Sequence, residues 1–223
     1  MKIFVTGTDT GIGKTYVSVA LMKAWQQCGL STLGLKPVAS GVRWNDGKKY
    51  NEDARLLQEA SSIKLPYEKI NPFLFDAPIA PHIAAMESKT SLSVAKIYDK
   101  VKEALQQPAE FILIEGVGGL LTPLNQQETM ADFISAHTLP TLLVVGMRLG
   151  CLNHAMLTAR SIVSQSILCL GWIANQVDPA MSHVSENIAA LKTWLPFPYL
   201  GAMRHNDGDA FLSIAQKMTA IPA

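Results

Sequence analysis

A glycine-rich segment at residues 7–15, with the sequence GTDTGIGKT, carries the strongest chemical signal in the chain. It follows a short apolar run and opens a stretch with helical spacing, which is where a phosphate-binding loop belongs. Its glycines allow backbone N–H groups to surround phosphate oxygens, and the helix start adds positive potential. Lys14 is placed to reach the outer phosphates and Thr15 to offer a hydroxyl to Mg²⁺. The segment predicts ATP binding, although five residues separate Gly7 from Gly13 where the usual pattern has four.

Two more charged residues stand at the ends of predicted strands. Glu115 follows the apolar run 111–114, and Lys36 follows the run 32–35. A carboxylate in this position can supply an oxygen ligand to magnesium, and a lysine can neutralise a phosphoryl group in transfer. Taken singly, such a glutamate could simply cap or solvate the strand end, and such a lysine is more often solvated. Because ligands gather beyond the carboxyl ends of parallel strands, we expect both to face the crevice of the phosphate loop.

Short apolar runs alternate with longer stretches of helical period along the chain. The runs 3–5, 32–35, 111–114, 141–145 and 168–174 predict strands, and the stretches 14–27, 93–107, 153–165 and 185–194 predict helices. This order predicts an α/β fold, a single P-loop NTPase-like domain over residues 1–223 with a mainly parallel central sheet and helices on both faces. Residues 66–81 are rich in proline and polar residues and predict a long irregular loop near the site.

Composition limits the classes of partner. Charged residues make up 17% of the 223 residues and the formal net charge is +1, so we expect no nucleic-acid partner and no membrane surface. The first residues lack the apolar core of a signal peptide, and no window reaches the length of a membrane span. Three cysteines, at positions 28, 151 and 169, have no metal-ligand spacing. We therefore expect a cytoplasmic protein with reduced thiols.

Four segments together resemble dethiobiotin synthetase: residues 7–15, 36–41 (KPVASG), 115–119 (EGVGG) and 149–155 (LGCLNHA). The resemblance covers residues 1–178 and includes the five-residue spacing of the phosphate loop. It implies an enzyme of biotin biosynthesis that converts 7,8-diaminononanoate, CO2 and ATP into dethiobiotin, ADP and phosphate. The implied path runs through a carbamate and a carbamic-phosphoric anhydride, with Mg²⁺ as cofactor and a homodimer as the working form.

The resemblance also implies roles for individual residues. Lys36 and Lys14 would be catalytic, and Thr15, Asp53 and Glu115 would bind magnesium. Nucleotide contacts would come from residues of the phosphate loop, the strand ends and a later asparagine: Gly11, Ile12, Gly13, Lys14, Thr15, Tyr16, Asp53, Glu115, Gly116, Val117, Gly118, Asn175 and Gln176. Substrate contacts would come from Thr10 and Ser40 and, across the dimer interface, from a helix start: Gly150, Cys151, Leu152 and Asn153.

Two of these residues also have a simpler structural interpretation. Asp53 also reads as part of an acidic first helical turn, and Asn175 as a turn residue before Asp178. The chain also departs from the family pattern twice. Gly11 stands where many members have an acidic residue, and Met203-Arg204 stands where an isoleucine-proline pair is usual.

Two other readings remain open. One is a partition-type ATPase switch, which normally has a signature lysine where this chain has Asp9. The other is a related amide-forming synthetase, which generally carries a glutamine-using domain.

Overall fold

A computed structural model describes residues 1–204 and 208–221. Within these residues the chain forms the strands β1 (Lys2–Gly7), β2 (Thr32–Leu35), β3 (Val38–Ser40), β4 (Arg43–Asn45), β5 (Lys48–Tyr50), β6 (Phe73–Phe75), β7 (Phe111–Glu115), β8 (Thr141–Met147), β9 (Cys169–Gln176) and β10 (Tyr199–Met203). The helices are α1 (Lys14–Gln27), α2 (Glu52–Ala60), α3 (Tyr67–Ile70), α4 (Pro81–Glu87), α5 (Val94–Val101), α6 (Met130–Ala136), α7 (Cys151–Ser164), α8 (Val184–Trp194) and α9 (Gly208–Thr219).

Six parallel strands form the central sheet, in the order β10-β9-β8-β1-β7-β2. Two small two-stranded sheets, β3 with β6 and β4 with β5, lie outside it. The central strands β7 and β8 are buried along their whole length, which explains their unbroken apolar sequences. The predicted parallel α/β sheet is therefore confirmed.

Side chains of β1 alternate between the two faces of the sheet. Ile3 and Val5 join a buried cluster that contains Trp25 of α1, whereas Phe4 joins a second cluster and contacts Phe133 of α6. Helices thus cover both faces, as the sequence predicts. This packing fixes the carboxyl ends of β1, β2 and β7 next to one another, since β1 pairs with β7 and β7 with β2.

The structure corrects the sequence prediction in two segments. Residues 66–81 are not an irregular loop throughout, because they contain α3 and the strand β6, which pairs with β3. The helix predicted over residues 93–107 ends at Val101 and is followed by a short 3₁₀ helix, Ala104–Gln106. Elements of three or four residues are too short to show a period in sequence.

The strand β10 was also not predicted. It lies at the sheet edge beside β9, is only partly buried, and contains Gly201, so its apolar run is broken. In residues 1–204 and 208–221, every helix is too short or too polar to cross a bilayer.

Candidate active site

The phosphate loop joins β1 to α1, as predicted. Gly11 and Gly13 have φ angles of 72° and 80°, in the left-handed region that other residues adopt at a cost. Gly13 caps the N-terminus of α1, and a Cβ atom there would come within 2.2 Å of Asn175 Nδ2. Ile12 points below the loop and fills the space over Gly7. Ile12 therefore supports the loop from inside.

Lys14 is almost fully buried and donates hydrogen bonds to two carbonyl oxygens. These belong to Asp9, at 2.9 Å, and to Gly118, at 2.7 Å. Lys14 thereby links the phosphate loop to the segment that follows β7. Burial, and next the positive charge of Lys36, lower the pKa of Lys14 from 10.5 to about 8.

The carboxyl ends of β2 and β7 bring a second lysine and a carboxylate together. Lys36 Nζ lies 2.6 Å from Glu115 Oε1 and 3.3 Å from Asp53 Oδ2, and it also donates to the Gly116 carbonyl at 3.1 Å. Thr15 donates its hydroxyl hydrogen to the same Glu115 oxygen at 2.8 Å. Four residues that are distant in sequence thus form one connected polar cluster.

Burial by itself lowers the pKa of Lys36, but the carboxylates of Glu115 and Asp53 raise it above its usual value. Lys36 is therefore charged at neutral pH. The two carboxylates differ in their surroundings, because the Glu115 side chain is fully buried whereas that of Asp53 is 46% exposed. Asp53 lies in the first turn of α2 and is the accessible member of the pair.

The oxygen atoms of this cluster fit a magnesium ion. Mg²⁺ binds oxygen ligands, usually one or two carboxylates together with substrate phosphates. Oε2 of Glu115 is buried and has no hydrogen-bond partner among the described residues, which suits a ligand oxygen. The described residues contain no group of three or more His, Cys, Asp or Glu side chains placed to hold a metal. A metal here therefore needs the Thr15 hydroxyl and phosphate oxygens in addition to Asp53 and Glu115.

A cavity of about 390 Å³ opens over the cluster. Its walls come from the phosphate loop, the ends of β2, β3 and β7, and the start of α2: Thr10, Gly11, Gly13, Lys14, Thr15, Tyr16, Lys36, Ala39, Ser40, Asn51, Asp53, Glu115, Val117 and Gly118. The structure therefore brings together both predicted catalytic lysines, all three predicted metal ligands, and Thr10 with Ser40. The Ser40 hydroxyl oxygen is buried without a hydrogen-bond partner among the described residues.

Asn175 and Gln176 lie apart from that cavity, on opposite faces of β9. The buried amide of Asn175 donates to the Ile12 carbonyl at 2.8 Å, so it supports the phosphate loop. Gln176 lines a second cavity of about 220 Å³, between α8 and β10, together with Lys192 and Arg204. Successive strand residues point to opposite faces, which explains why two neighbours in sequence are separated in space.

The helix start at Gly150, Cys151, Leu152 and Asn153 also lies outside the cavity lining. Gly150 caps α7 with a φ of 92°, Cys151 is buried, and Asn153 is exposed. Leu149, just before it, is 97% exposed. These predicted substrate residues therefore do not meet Lys36 within one chain.

The segment around Met203 and Arg204 touches the site through Tyr16. The Tyr16 hydroxyl donates to the Arg204 carbonyl at 3.2 Å, and Met203 is buried. His205, the residue after Arg204, lies outside the described residues.

Sequence reasoning missed several residues of the site. Ala39 and Asn51 line the cavity, and Arg148 forms an ion pair with Asp9 at the start of the phosphate loop. Asn51 caps α2, and an asparagine directly before an acidic first turn is a recognisable helix-start signal. Arg148 has no comparable signal, because its partner lies 139 positions away.

Comparison with known proteins agrees with this geometry. A family model described as an AAA domain matches residues 1–208. The ATP-dependent dethiobiotin synthetase BioD of Pseudomonas paraeruginosa is 47% identical over 198 residues, which cover 89% of this chain and 87% of the relative. The protein of the same description from Pseudoalteromonas translucida is 42% identical, over 96% of this chain and 94% of its own length.

Solved structures with the same fold are much more distant in sequence. The septum site-determining protein MinD of Pyrococcus horikoshii, complexed with Mg-ADP, superposes with a TM-score of 0.60 at 15% identity, covering 98% of this chain and 96% of its own. The Aquifex aeolicus MinC:MinD complex superposes with a TM-score of 0.58 at 14% identity, covering 100% of this chain and 98% of its own. At this level of identity the likeness establishes the fold alone. The two sequence relatives, by contrast, are 47% and 42% identical to this chain over most of the length of both proteins. This similarity establishes the family, and the chain therefore belongs to the ATP-dependent dethiobiotin synthetases.

Proposed function

We propose that the enzyme forms dethiobiotin, ADP and phosphate from 7,8-diaminononanoate, CO2 and ATP, in biotin biosynthesis. The observation that carries this proposal is the convergence of Lys14, Lys36 and Glu115 on one cavity beside the phosphate loop. Two lysines and a small set of oxygen ligands suit a reaction in which negative charge moves between a carbamate and a phosphoryl group.

Residues 11–16 hold the triphosphate of ATP in this proposal. Their backbone N–H groups and the N-terminus of α1 face the phosphate oxygens, with Val117 and Gly118 on the other side of the cavity. Lys14 exchanges its two carbonyl partners, Asp9 and Gly118, for phosphate oxygens. A phosphate oxygen is a stronger acceptor than a neutral carbonyl because it is charged.

Thr15, Asp53 and Glu115 would hold Mg²⁺. When bound, the ion neutralises charge on the transferring phosphoryl group. The fully buried Oε2 of Glu115 and the half-exposed carboxylate of Asp53 would supply oxygen ligands. Lys36 contacts both carboxylates, so its positive charge lies beside the oxygens that would hold the ion.

The ring closes in three steps. One amine of the diamine attacks CO2, loses a proton and becomes a carbamate. A carbamate oxygen then attacks the γ-phosphorus of ATP, which releases ADP and gives a carbamic-phosphoric anhydride. The second amine attacks the carbamate carbon, phosphate leaves with the electron pair of the C–O bond, and loss of a proton completes the cyclic urea.

Lys36 stabilises the negative oxygens of the carbamate and of the transferring group, because it is charged and nearly fully buried in the cavity wall. Lys14 does the same for the outer phosphates. Thr10 and Ser40 bind the diamine or the carbamate, and the buried, unpartnered Ser40 hydroxyl supports this assignment.

Asn175 reads the adenine base in this proposal, with Gln176 beside it in sequence. Asn175 lies directly behind residues 12 and 13, and its amide has a second N–H hydrogen besides the one donated to Ile12. Gln176 faces a different cavity, so the base assignment depends mainly on Asn175.

The working form is a homodimer in which Gly150, Cys151, Leu152 and Asn153 of one subunit complete the site of the other. Helix N-termini bind carboxylates through free N–H groups, and the diamine carries a carboxylate far from its amines. The nearly fully exposed Leu149 beside this helix start supports an interface there. We further propose that residues 1–223 act as one domain in the cytoplasm.

Phosphate release from Mg-ATP, measured with and without 7,8-diaminononanoate and bicarbonate and followed by mass detection of the product, tests this function. We expect release that requires both substrates and yields dethiobiotin. ATP hydrolysis that ignores both substrates, with no cyclic urea, would instead identify an ATPase switch. ATP-dependent formation of another amide would identify a related synthetase.

A further inference from the structure

Tyr67, the first residue of the short helix α3, and Asn71, the residue that follows this helix, bond to each other through their side chains. The Tyr67 hydroxyl donates to Asn71 Oδ1 at 3.0 Å. Asn71 is 3% exposed, and burial raises the pKa of Tyr67, so its hydroxyl keeps its proton at neutral pH. Both residues lie in the segment 66–81 that the sequence predicted as an irregular loop.

Asn71 fixes the backbone of Lys36. Its Nδ2 donates to the Lys36 carbonyl at 2.6 Å, while the Lys36 N–H donates to the Ile70 carbonyl at 2.9 Å. Both backbone polar groups of Lys36 are therefore bonded to residues 70–71. Since Lys36 follows the last residue of β2, this bonding sets the direction in which its side chain leaves the strand.

Tyr67 fixes the start of α2. Its hydroxyl oxygen accepts a hydrogen bond from the Asn51 N–H at 2.7 Å. Asn51 caps α2 through its side-chain oxygen, and its Nδ2 donates to the Gly41 carbonyl at 3.0 Å. Asp53 is in the first turn of that helix, so the position of its carboxylate depends on the capped helix start.

We propose that Tyr67 and Asn71 are positioning residues that hold Lys36 and Asp53 at the separation the reaction needs. The chain of hydrogen bonds runs from the Lys36 carbonyl through Asn71 and Tyr67 to Asn51, two residues before Asp53. Among the described residues, the direct polar contact between Lys36 and Asp53 is 3.3 Å long and involves a half-exposed carboxylate. This inference rests on the proposed roles of Lys36 and Asp53.

The Tyr67→Phe variant tests the inference, because it removes the hydroxyl and keeps the ring. We expect turnover to fall about 10- to 100-fold and the affinity for Mn²⁺, used as a spectroscopic substitute for Mg²⁺, to fall by at least about tenfold. ATP binding by equilibrium dialysis stays within about twofold, since Tyr67 does not touch the phosphate loop, and the midpoint of thermal unfolding separates this effect from loss of fold. Tyr98→Phe, at a tyrosine whose ring stacks on His137, is the matched control and leaves all four quantities unchanged.

A double-mutant cycle sharpens the test. Asn71→Ala interrupts the same chain, so the double variant Tyr67→Phe/Asn71→Ala loses no more turnover than the worse single variant. The positioning role would be overturned if the losses of the two single variants add up in the double variant. It would also be overturned if Tyr67→Phe keeps wild-type turnover and Mn²⁺ affinity, or if it loses ATP binding and turnover equally. If Asn71→Ala does not fold, Tyr67→Phe alone decides.

Lys36→Ala, assayed in parallel, separates the positioning role of Tyr67 and Asn71 from the proposed function of Lys36. An inactive Lys36→Ala with a normal Tyr67→Phe refutes only the positioning role. A fully active Lys36→Ala refutes the proposed function of Lys36 itself.

Discussion

The two ends of the proposed substrate site differ in how completely one chain builds them. At the phosphate end, Lys36 and Glu115 are buried within hydrogen-bond distance of each other, and the phosphate loop lies beside them. At the other end, the start of α7 is open to solvent and lines no part of the same cavity. The difference teaches that one chain by itself brings the proposed catalytic groups together, whereas it leaves the start of α7 outside the cavity, as the proposed shared site requires.

The largest expected effect comes from the phosphate end. In the proposed reaction, Lys36→Ala removes the buried charge that stabilises the carbamate and phosphoryl oxygens, so we expect turnover to fall about a thousandfold. ATP binding is largely preserved, because the phosphate loop is untouched. Steady-state kinetics measures turnover and equilibrium dialysis measures ATP binding. Lys23→Ala, at an exposed position of α1, is the control. Normal turnover in Lys36→Ala would show that the reaction does not depend on Lys36 at the phosphate end.

Glu115→Gln tests the metal site at the same end. The amide cannot replace the carboxylate that meets Thr15 and Lys36, so the Mg²⁺ concentration for half-maximal activity rises at least about tenfold and turnover falls about a hundredfold. Magnesium titration of the initial rate measures both. Glu103→Gln, at an exposed ion pair with Lys69, is the comparison variant. An unchanged magnesium curve would contradict the assignment of Glu115.

Leu157→Asp tests the open end. Leu157 is 57% exposed and lies four residues after Asn153, on the same face of α7. In the proposed dimer this face lies at the interface, and a charge there prevents association. We therefore expect a monomer whose KM for the diamine rises at least about tenfold, a loss of about 1.4 kcal/mol in binding. Light scattering gives the mass and kinetics gives KM. Leu168→Asp, at an exposed position before β9, stays dimeric, and a fully active Leu157→Asp monomer would refute the shared site.

A smaller effect follows from the lowered pKa of Lys14. As the pH rises above about 8, Lys14 loses its charge and ATP affinity falls, by at most about tenfold per pH unit. The stability of the protein without ATP changes in the opposite direction. The unfolded chain, with a Lys14 pKa of 10.5, binds more protons than the folded chain, so the free energy of unfolding rises between pH 8 and 10.5.

Lys14→Met provides the reference for both trends. Calorimetric titration with ATP and urea denaturation, each repeated across this pH range, give the difference between the wild type and the variant. Parallel pH curves for the two proteins would show that Lys14 does not titrate there.

Much of the site was predictable because its residues follow strong local signals. Residues 7–15 read as a phosphate loop from sequence alone, and Lys36 and Glu115 each follow an apolar run. Parallel strands place such residues at one edge of a sheet, so their meeting could be expected. Asp53 was harder to identify, since an acidic first helical turn is common and only family resemblance selected it.

Other features depend on contacts between distant parts of the chain. Tyr67 lies in a helix too short to show a period and Asn71 directly follows that helix, so their bonds to Asn51 and Lys36 require the folded arrangement of α3. Likewise, the sequence places Asn175 and Gln176 side by side, but the pleat of β9 sends them to opposite faces.

The sequence by itself determined the parallel α/β class, the phosphate loop and the pair of charged strand ends, because each depends on residue type and spacing within a few positions. The tertiary structure alone decided which partners these groups meet: Lys36 with Asp53, Lys14 with Gly118, and Asp9 with Arg148. Such pairings depend on sheet order and helix packing, which bring together residues up to 139 positions apart. The residues that flank each of these groups in sequence do not indicate which distant residue it will contact.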